Sequence, residues 1–239
     1  MTSSPGGGER GRGVRVAIID SGVHASHPHV GGVAGGIAFD AEGRAHDDFV
    51  DRLGHGTAVA AVIREKAPRA QLYAVKVFDR ALQAEIAALR AALDWAVERQ
   101  VQLVNLSLGT AEAAHEAVLR GCVERATAAG VLIVSALQTP DGDSFLPGRL
   151  PGVLAVELDW DCPRDAVRVA VHPGGAWVCR ASGYPRPIPG VPPERNLKGL
   201  SFAVANVTGL LAAAIGDDDP LSLDVARDRL AALARPKDR

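Results

Sequence analysis

Five short β-branched runs, nearly continuous in apolar residues, most constrain what this chain can fold into. They are VRVAIID (14–20), AQLYAVKV (70–77), VQLVNLSL (101–108), GVLIVSAL (130–137) and GVLAVEL (152–158). A strand with one wet face alternates apolar and polar residues, whereas a strand covered on both faces does not. The runs therefore predict a sheet buried on both sides. Helical periods lie between them. In LQAEIAALRAALDWAVERQ (82–100), Ile86, Leu89, Leu93, Ala96 and Val97 share a face, as an amphipathic helix requires. In AEAAHEAVLRGCVERATAAG (111–130) the expected face is Val118, Cys122, Ala126 and Ala129, with Gly130 as the stop. A last helix over LSLDVARDRLAALA (221–234) is expected to dock through Ala226, Leu230, Leu233 and Ala234. Strands alternating with helices imply a parallel sheet with right-handed crossovers. With 47% apolar but only 4% aromatic residues, the core is built from small aliphatic side chains suited to close helix-on-sheet packing.

The same composition excludes several partners. A net charge of −2 and the lack of a basic run give no footing for nucleic acid or an anionic membrane surface. Cys122, Cys162 and Cys179 are an odd, widely spaced set. They make no disulfide framework and no metal-ligand pair, though a single bridge stays open. A cytoplasmic, reducing compartment is expected. The opening MTSSPGGGERGRG (1–13) reads as a disordered tail too short for a folded pro-domain, with one domain over 14–239. VRVAIID is too short for a signal-peptide core or a membrane span. The Pro-rich GYPRPIPGVPPERN (183–196) reads as a surface loop.

Three polar residues stand where such a sheet binds ligands. Asp20 ends the first run in IIDSGV, His55 heads an apolar helix in GHGTAVAAVI, and Ser201 does the same in GLSFAVANVTG. Ligands of open α/β sheets sit at the carboxyl ends of strands. Taken singly, the aspartate is a turn former, the histidine a structural hydrogen-bonder and the serine an N-cap.

Taken together, these segments resemble those of the subtilisin-like serine proteases, the subtilase family. DSGVHASHP is similar to the family's Asp motif, HGTAVA to its His motif and GLSFAVA to its Ser motif, in the order Asp, His, Ser. APRAQLYAVKVFD, LDWAVERQVQLVNLSLG, AAGVLIVSA and LPGRLPGVLAVEL resemble the intervening framework, so the resemblance runs from about residue 14 to 215. It implies a three-layer subtilisin-like α/β fold with a central, mostly parallel sheet flanked by helices. It also implies a serine endopeptidase acting on peptide or protein substrates, with Asp20, His55 and Ser201 as the triad. A processing role on a specific precursor is expected. Whether the acyl-enzyme passes to water or to an amine stays open.

By the same resemblance, Ser107, Leu108 and Gly109 belong to a strand edge on which an extended peptide pairs. The chain departs from the family at the oxyanion hole. The usual Asn is absent from GVLIVSALQTP: Thr139 falls at its position and Gln138, which carries an amide, just before it. Loss of such a donor costs about 10² to 10³ in rate. The alternative reading is therefore a catalytically weakened peptide-binding or regulatory module. A nucleotide-binding enzyme is disfavoured, because the first strand leads into DSGVHAS rather than a Gly-rich phosphate turn. Phe145 stands where a Gly often lines the specificity pocket; it either narrows that pocket in favour of small side chains or turns into the core. His24, His27 and His29 are read as structural, and no metal is expected. Calcium has no clear ligand pattern in the acidic stretches 46–51 and 216–220. Both read as solvated turns; the alternative for the first is that it helps position the His55 loop.

Overall fold

The computed structural model of the chain describes residues 9–138, 142, 144–171, 177–216 and 221–234. The five expected strands form as β1 (Arg15–Asp20), β4 (Gln71–Lys76), β5 (Leu103–Leu106), β6 (Leu132–Ala136) and β7 (Leu154–Leu158). Four more were not evident in the sequence: β2 (Gly35–Phe39), β3 (Ala45–His46), β8 (Arg168–Val171) and β9 (Trp177–Ala181). They join one sheet in the order β3-β2-β4-β1-β5-β6-β7-β9-β8. Neighbours pair in parallel except at the two edges, where β3 and β8 run antiparallel.

Helices α1 (His55–Lys66), α4 (Leu200–Ala214) and α5 (Leu223–Leu233) cover one face, and α2 (Ile86–Glu98) and α3 (Glu116–Ala128) the other. This is the expected three-layer α/β arrangement. The central strand shows why its sequence is apolar throughout. Val16 and Ile18 enter the core beneath α1 and α4, while Ala17 and Ile19 enter the core beneath α2 and α3. Helix α4 is apolar on nearly every side because it is buried from Phe202 to Ala212.

Three expectations are corrected. The buried face of α3 is Leu119, Cys122, Val123 and Ala126, while Val118 and Ala129 are exposed. Two stripes one residue apart share Cys122 and Ala126, and the helix turns the bulkier Leu119 inward. In α5 the buried residues are Ala226 and Leu230, with Leu223 and Val225 packed beside them; Leu233, in the last turn, is exposed. Finally, residues 9–13 of the expected disordered tail form turns tied to the body. Arg12 N–H donates to the Glu9 carbonyl at 3.2 Å, and Arg69 N–H to the Arg10 carbonyl at 3.1 Å. Among the described residues no helix is long and apolar enough to cross a membrane.

Candidate active site

The site forms where β1 ends. Asp20 is its last residue, fully buried. The next-but-one glycine, Gly22, presents its carbonyl to the start of α1. A Cβ added at Gly56 would lie 2.2 Å from that carbonyl oxygen and 3.2 Å from Asp20 Cβ. Only a residue without a side chain fits there, and the close approach carries His55 onto the carboxylate. His55 Nδ1 lies 2.7 Å from Asp20 Oδ1, which also accepts the Ser21 N–H at 2.7 Å. Asp20 Oδ2 is buried with no hydrogen-bond partner among the described residues.

A carboxylate at Nδ1 fixes the imidazole proton there and leaves Nε2 as the basic nitrogen. Burial disfavours the imidazolium. The hydrogen bond and charge of Asp20, helped by the charge of Asp51, outweigh that cost and hold the His55 pKa above its ordinary value.

Ser201 is the second residue of α4. Its hydroxyl donates to the Ser107 carbonyl at 3.2 Å, and the Ser107 hydroxyl donates to the Ser201 carbonyl at 3.3 Å. Asn105 extends this clamp. Its amide donates to Ser107 Oγ at 2.8 Å, and its Oδ1 accepts the Thr208 hydroxyl at 3.0 Å. The Phe202 ring centre lies 5.7 Å from that of His55, so the first turn of α4 stands beside the imidazole. Asp20 and His55 are thus joined directly. Ser201 is brought to the same rim, with its hydroxyl turned onto Ser107 rather than onto His55. Asn105 and Thr208 escaped the sequence reading because a polar pair inside apolar runs gives no signal until its partner, 103 residues away, is known.

The remaining candidates fall as follows. Ser107 and Leu108 are half-buried and Gly109 is exposed, just beyond β5. Leu108 and Gly109 enter no backbone hydrogen bond among the described residues. Phe145 packs beside them: a Cβ added at Gly109 would lie 2.8 Å from Phe145 Cβ. Thr110 and Leu146 pin this arrangement through reciprocal backbone bonds of 3.0 and 2.9 Å. The Gln138 amide donates to Glu157 Oε1 at 2.8 Å, and Glu157 Oε2 accepts Arg180 Nε at 2.9 Å. Thr139, and residues 217–220 of the second acidic stretch, lie outside the described residues. The His27 and His29 rings meet edge to face at 5.2 Å. His24 Nδ1 faces Ser26 Oγ at 3.3 Å. Among the described residues no group of three His, Cys, Asp or Glu is arranged to hold a metal ion.

Comparison with known proteins bears on this arrangement. A model of the subtilase family matches residues 11–138. A thermostable alkaline protease of Halalkalibacterium halodurans is 36% identical over 156 residues, which cover 61% of this chain and 41% of that protein. Subtilisin DY of Bacillus licheniformis is 28% identical over 245 residues, 95% of this chain and 85% of that one. A crystal structure of a cold-adapted subtilisin-like serine proteinase superposes with a TM-score of 0.69 at 20% identity, covering 97% of this chain and 84% of that one. A lanthipeptide protease does so with a TM-score of 0.69 at 19% identity, covering 92% and 80%. These two structures share the fold.

Proposed function

The chain belongs to the subtilase family, and from that premise we propose that it is a serine endopeptidase with Ser201 as nucleophile, His55 as base and Asp20 as the carboxylate that orients the base. The 2.7 Å contact between Asp20 Oδ1 and His55 Nδ1 is the observation that carries this reading. It leaves a basic Nε2 beside the first turn of α4, the one group a serine needs to become nucleophilic.

An extended substrate pairs along Ser107–Gly109, whose Leu108 and Gly109 peptide groups make no backbone hydrogen bond among the described residues. A substrate N–H that takes the Ser107 carbonyl competes with the Ser201 hydroxyl for that acceptor. The released hydroxyl gives its proton to His55 Nε2 as Oγ attacks the scissile carbonyl. Asp20 stabilises the imidazolium, which then protonates the leaving amine as the C–N bond breaks. Water, or an amine, repeats the sequence on the acyl-enzyme.

The developing oxyanion faces the start of α4. There the Ser201 N–H makes no backbone hydrogen bond among the described residues, and the helix dipole favours negative charge. The Gln138 amide is engaged by Glu157, so it serves as a second donor only after leaving that carboxylate.

Phe145 is the selectivity element. Phe145 packs partly against the core and lies beside Gly109, so a substrate side chain directed past Gly109 meets it, which favours Ala, Ser or Gly before the scissile bond. Specific peptide precursors in a reducing compartment suit such a narrow site and the three buried free cysteines.

Digestion of denatured casein, with the cut sites read by mass spectrometry, tests both points. Cuts after small residues are expected. Absence of cleavage together with absence of fluorophosphonate labelling at Ser201 overturns the peptidase reading. Cuts concentrated after Phe or Leu overturn the role of Phe145.

A further inference from the structure

The loop that precedes α1 contains a half-buried carboxylate with more hydrogen bonds than a surface turn requires. Asp51 Oδ1 accepts from Ser21 Oγ at 2.9 Å, Leu53 N–H at 2.9 Å and Gly54 N–H at 2.8 Å. Oδ2 accepts from Thr57 N–H at 2.9 Å and from the Thr57 hydroxyl at 2.6 Å. Five donors thus converge on one side chain, four of them from the segment that carries His55.

The donors are not incidental. Gly54 is the N-cap of α1 in a left-handed conformation, with φ of 82°, and has no side chain to cap the helix. The first N–H groups of a helix need outside acceptors. Asp51 supplies one to Thr57, and Ser21 Oγ supplies another to Gly56 N–H at 2.9 Å. Ser21 is also the residue whose N–H holds Asp20 Oδ1. Thr57 passes the connection onward, accepting the His24 N–H at 2.9 Å on the far side of the Asp20 turn. The two segments that carry Asp20 and His55 lie 35 residues apart in sequence, and Asp51 ties both.

We propose that Asp51 is a positioning residue for the His55 base, its carboxylate locking the first turn of α1 onto the Asp20–Ser21 turn so that the imidazole meets Asp20 in one orientation. Asp51 touches neither substrate nor reacting atoms; it acts through His55. The proposal rests on the assignment of His55 as base. The charged and titratable groups that bear on the imidazole are Asp20 and Asp51. The neighbours Asp48 and Arg52 are engaged with each other at 2.7 Å on the surface. The burial of Asp51 opposes its charge, and the hydrogen bonds from Thr57, Gly54 and Leu53 override that and keep it ionised below the usual carboxylate range.

The test is Asp51→Asn, which keeps shape and removes charge and the acceptors for Thr57. Peptide hydrolysis and labelling by a fluorophosphonate are followed against pH, with thermal unfolding alongside. The expected result is a fall in kcat of about 10- to 100-fold, the scale of a misplaced catalytic group, with KM little changed. The acid limb also moves to lower pH, since a negative charge that favoured the imidazolium is gone. Thr57→Val, which deletes one donor and conserves volume, is expected to give a smaller change in the same direction if Asp51→Asn does not fold. Unchanged kcat and acid limb in the folded variants, beside a wild type that labels, overturn this proposal alone. A wild type that neither labels nor cleaves overturns it together with the assignment of His55.

Discussion

Ser201→Ala is expected to lower kcat for peptide hydrolysis by on the order of 10⁶-fold while leaving the fold and peptide binding in place. The substitution deletes one oxygen. What is lost structurally is a 3.2 Å hydrogen bond to the Ser107 carbonyl on a half-buried side chain. Such a bond contributes about 0.5–1.5 kcal/mol, a small fraction of the stability of a domain this size. The Ser107 carbonyl becomes free to accept a substrate N–H without competition. Peptide affinity is therefore expected to hold or to tighten. Unfolding temperature, peptide titration and single-turnover hydrolysis measured on the same preparation separate these effects. A fall of less than tenfold would place the nucleophile elsewhere.

Asp20→Asn is expected to lower kcat by about 10⁴-fold, and the hydrogen-bond pattern says why. Oδ1 accepts two donors, His55 Nδ1–H and Ser21 N–H, so the amide oxygen of the variant is held there. The amide NH₂ must occupy the place of Oδ2, which is buried and faces no partner among the described residues. The ring stays oriented, but the imidazolium formed during attack has no charge opposite it. The pH profile carries the sign. In the wild type the raised His55 pKa sets the acid limb above the ordinary histidine value, because only the neutral ring accepts the proton of Ser201. With the Asp20 charge removed, burial dominates and the limb moves to lower pH, at a much lower plateau. A variant with a reduced plateau and an unmoved limb would show that Asp20 does not set the charge of His55.

The sheet and its polar rim were legible because each was written locally. Strands β1, β4, β5, β6 and β7 are buried on both faces and announce themselves as continuous apolar runs. The strands that escaped are outer ones. GGIAF at β2 is rich in glycine because Gly36 lies against the Phe49 ring, and RVAV at β8 is a four-residue edge strand with no fully buried residue. The face of α3 was misplaced by one residue because Val118 and Leu119 fit the period equally, and only packing volume separates them.

At the site, Asp20, His55 and Ser201 stand out only through the resemblance of their segments to the subtilase motifs; taken singly they read as a turn former, a structural histidine and an N-cap. Their geometry was not. The direction of the Ser201 hydroxyl depends on a carbonyl 94 residues away, and the Gln138 amide is held by a carboxylate 19 residues downstream. Asp51 reads in the sequence as part of a solvated acidic turn or as an aid to the His55 loop, and its donors become visible only once α1 is folded against the Asp20 turn.

The most direct measurement is mass spectrometry of the protein after reaction with a fluorophosphonate, for the wild type and for His55→Ala. A single covalent adduct on Ser201, formed by the wild type and reduced by orders of magnitude in His55→Ala, is the predicted result. An adduct on another residue, or labelling of Ser201 that is indifferent to His55, would contradict it.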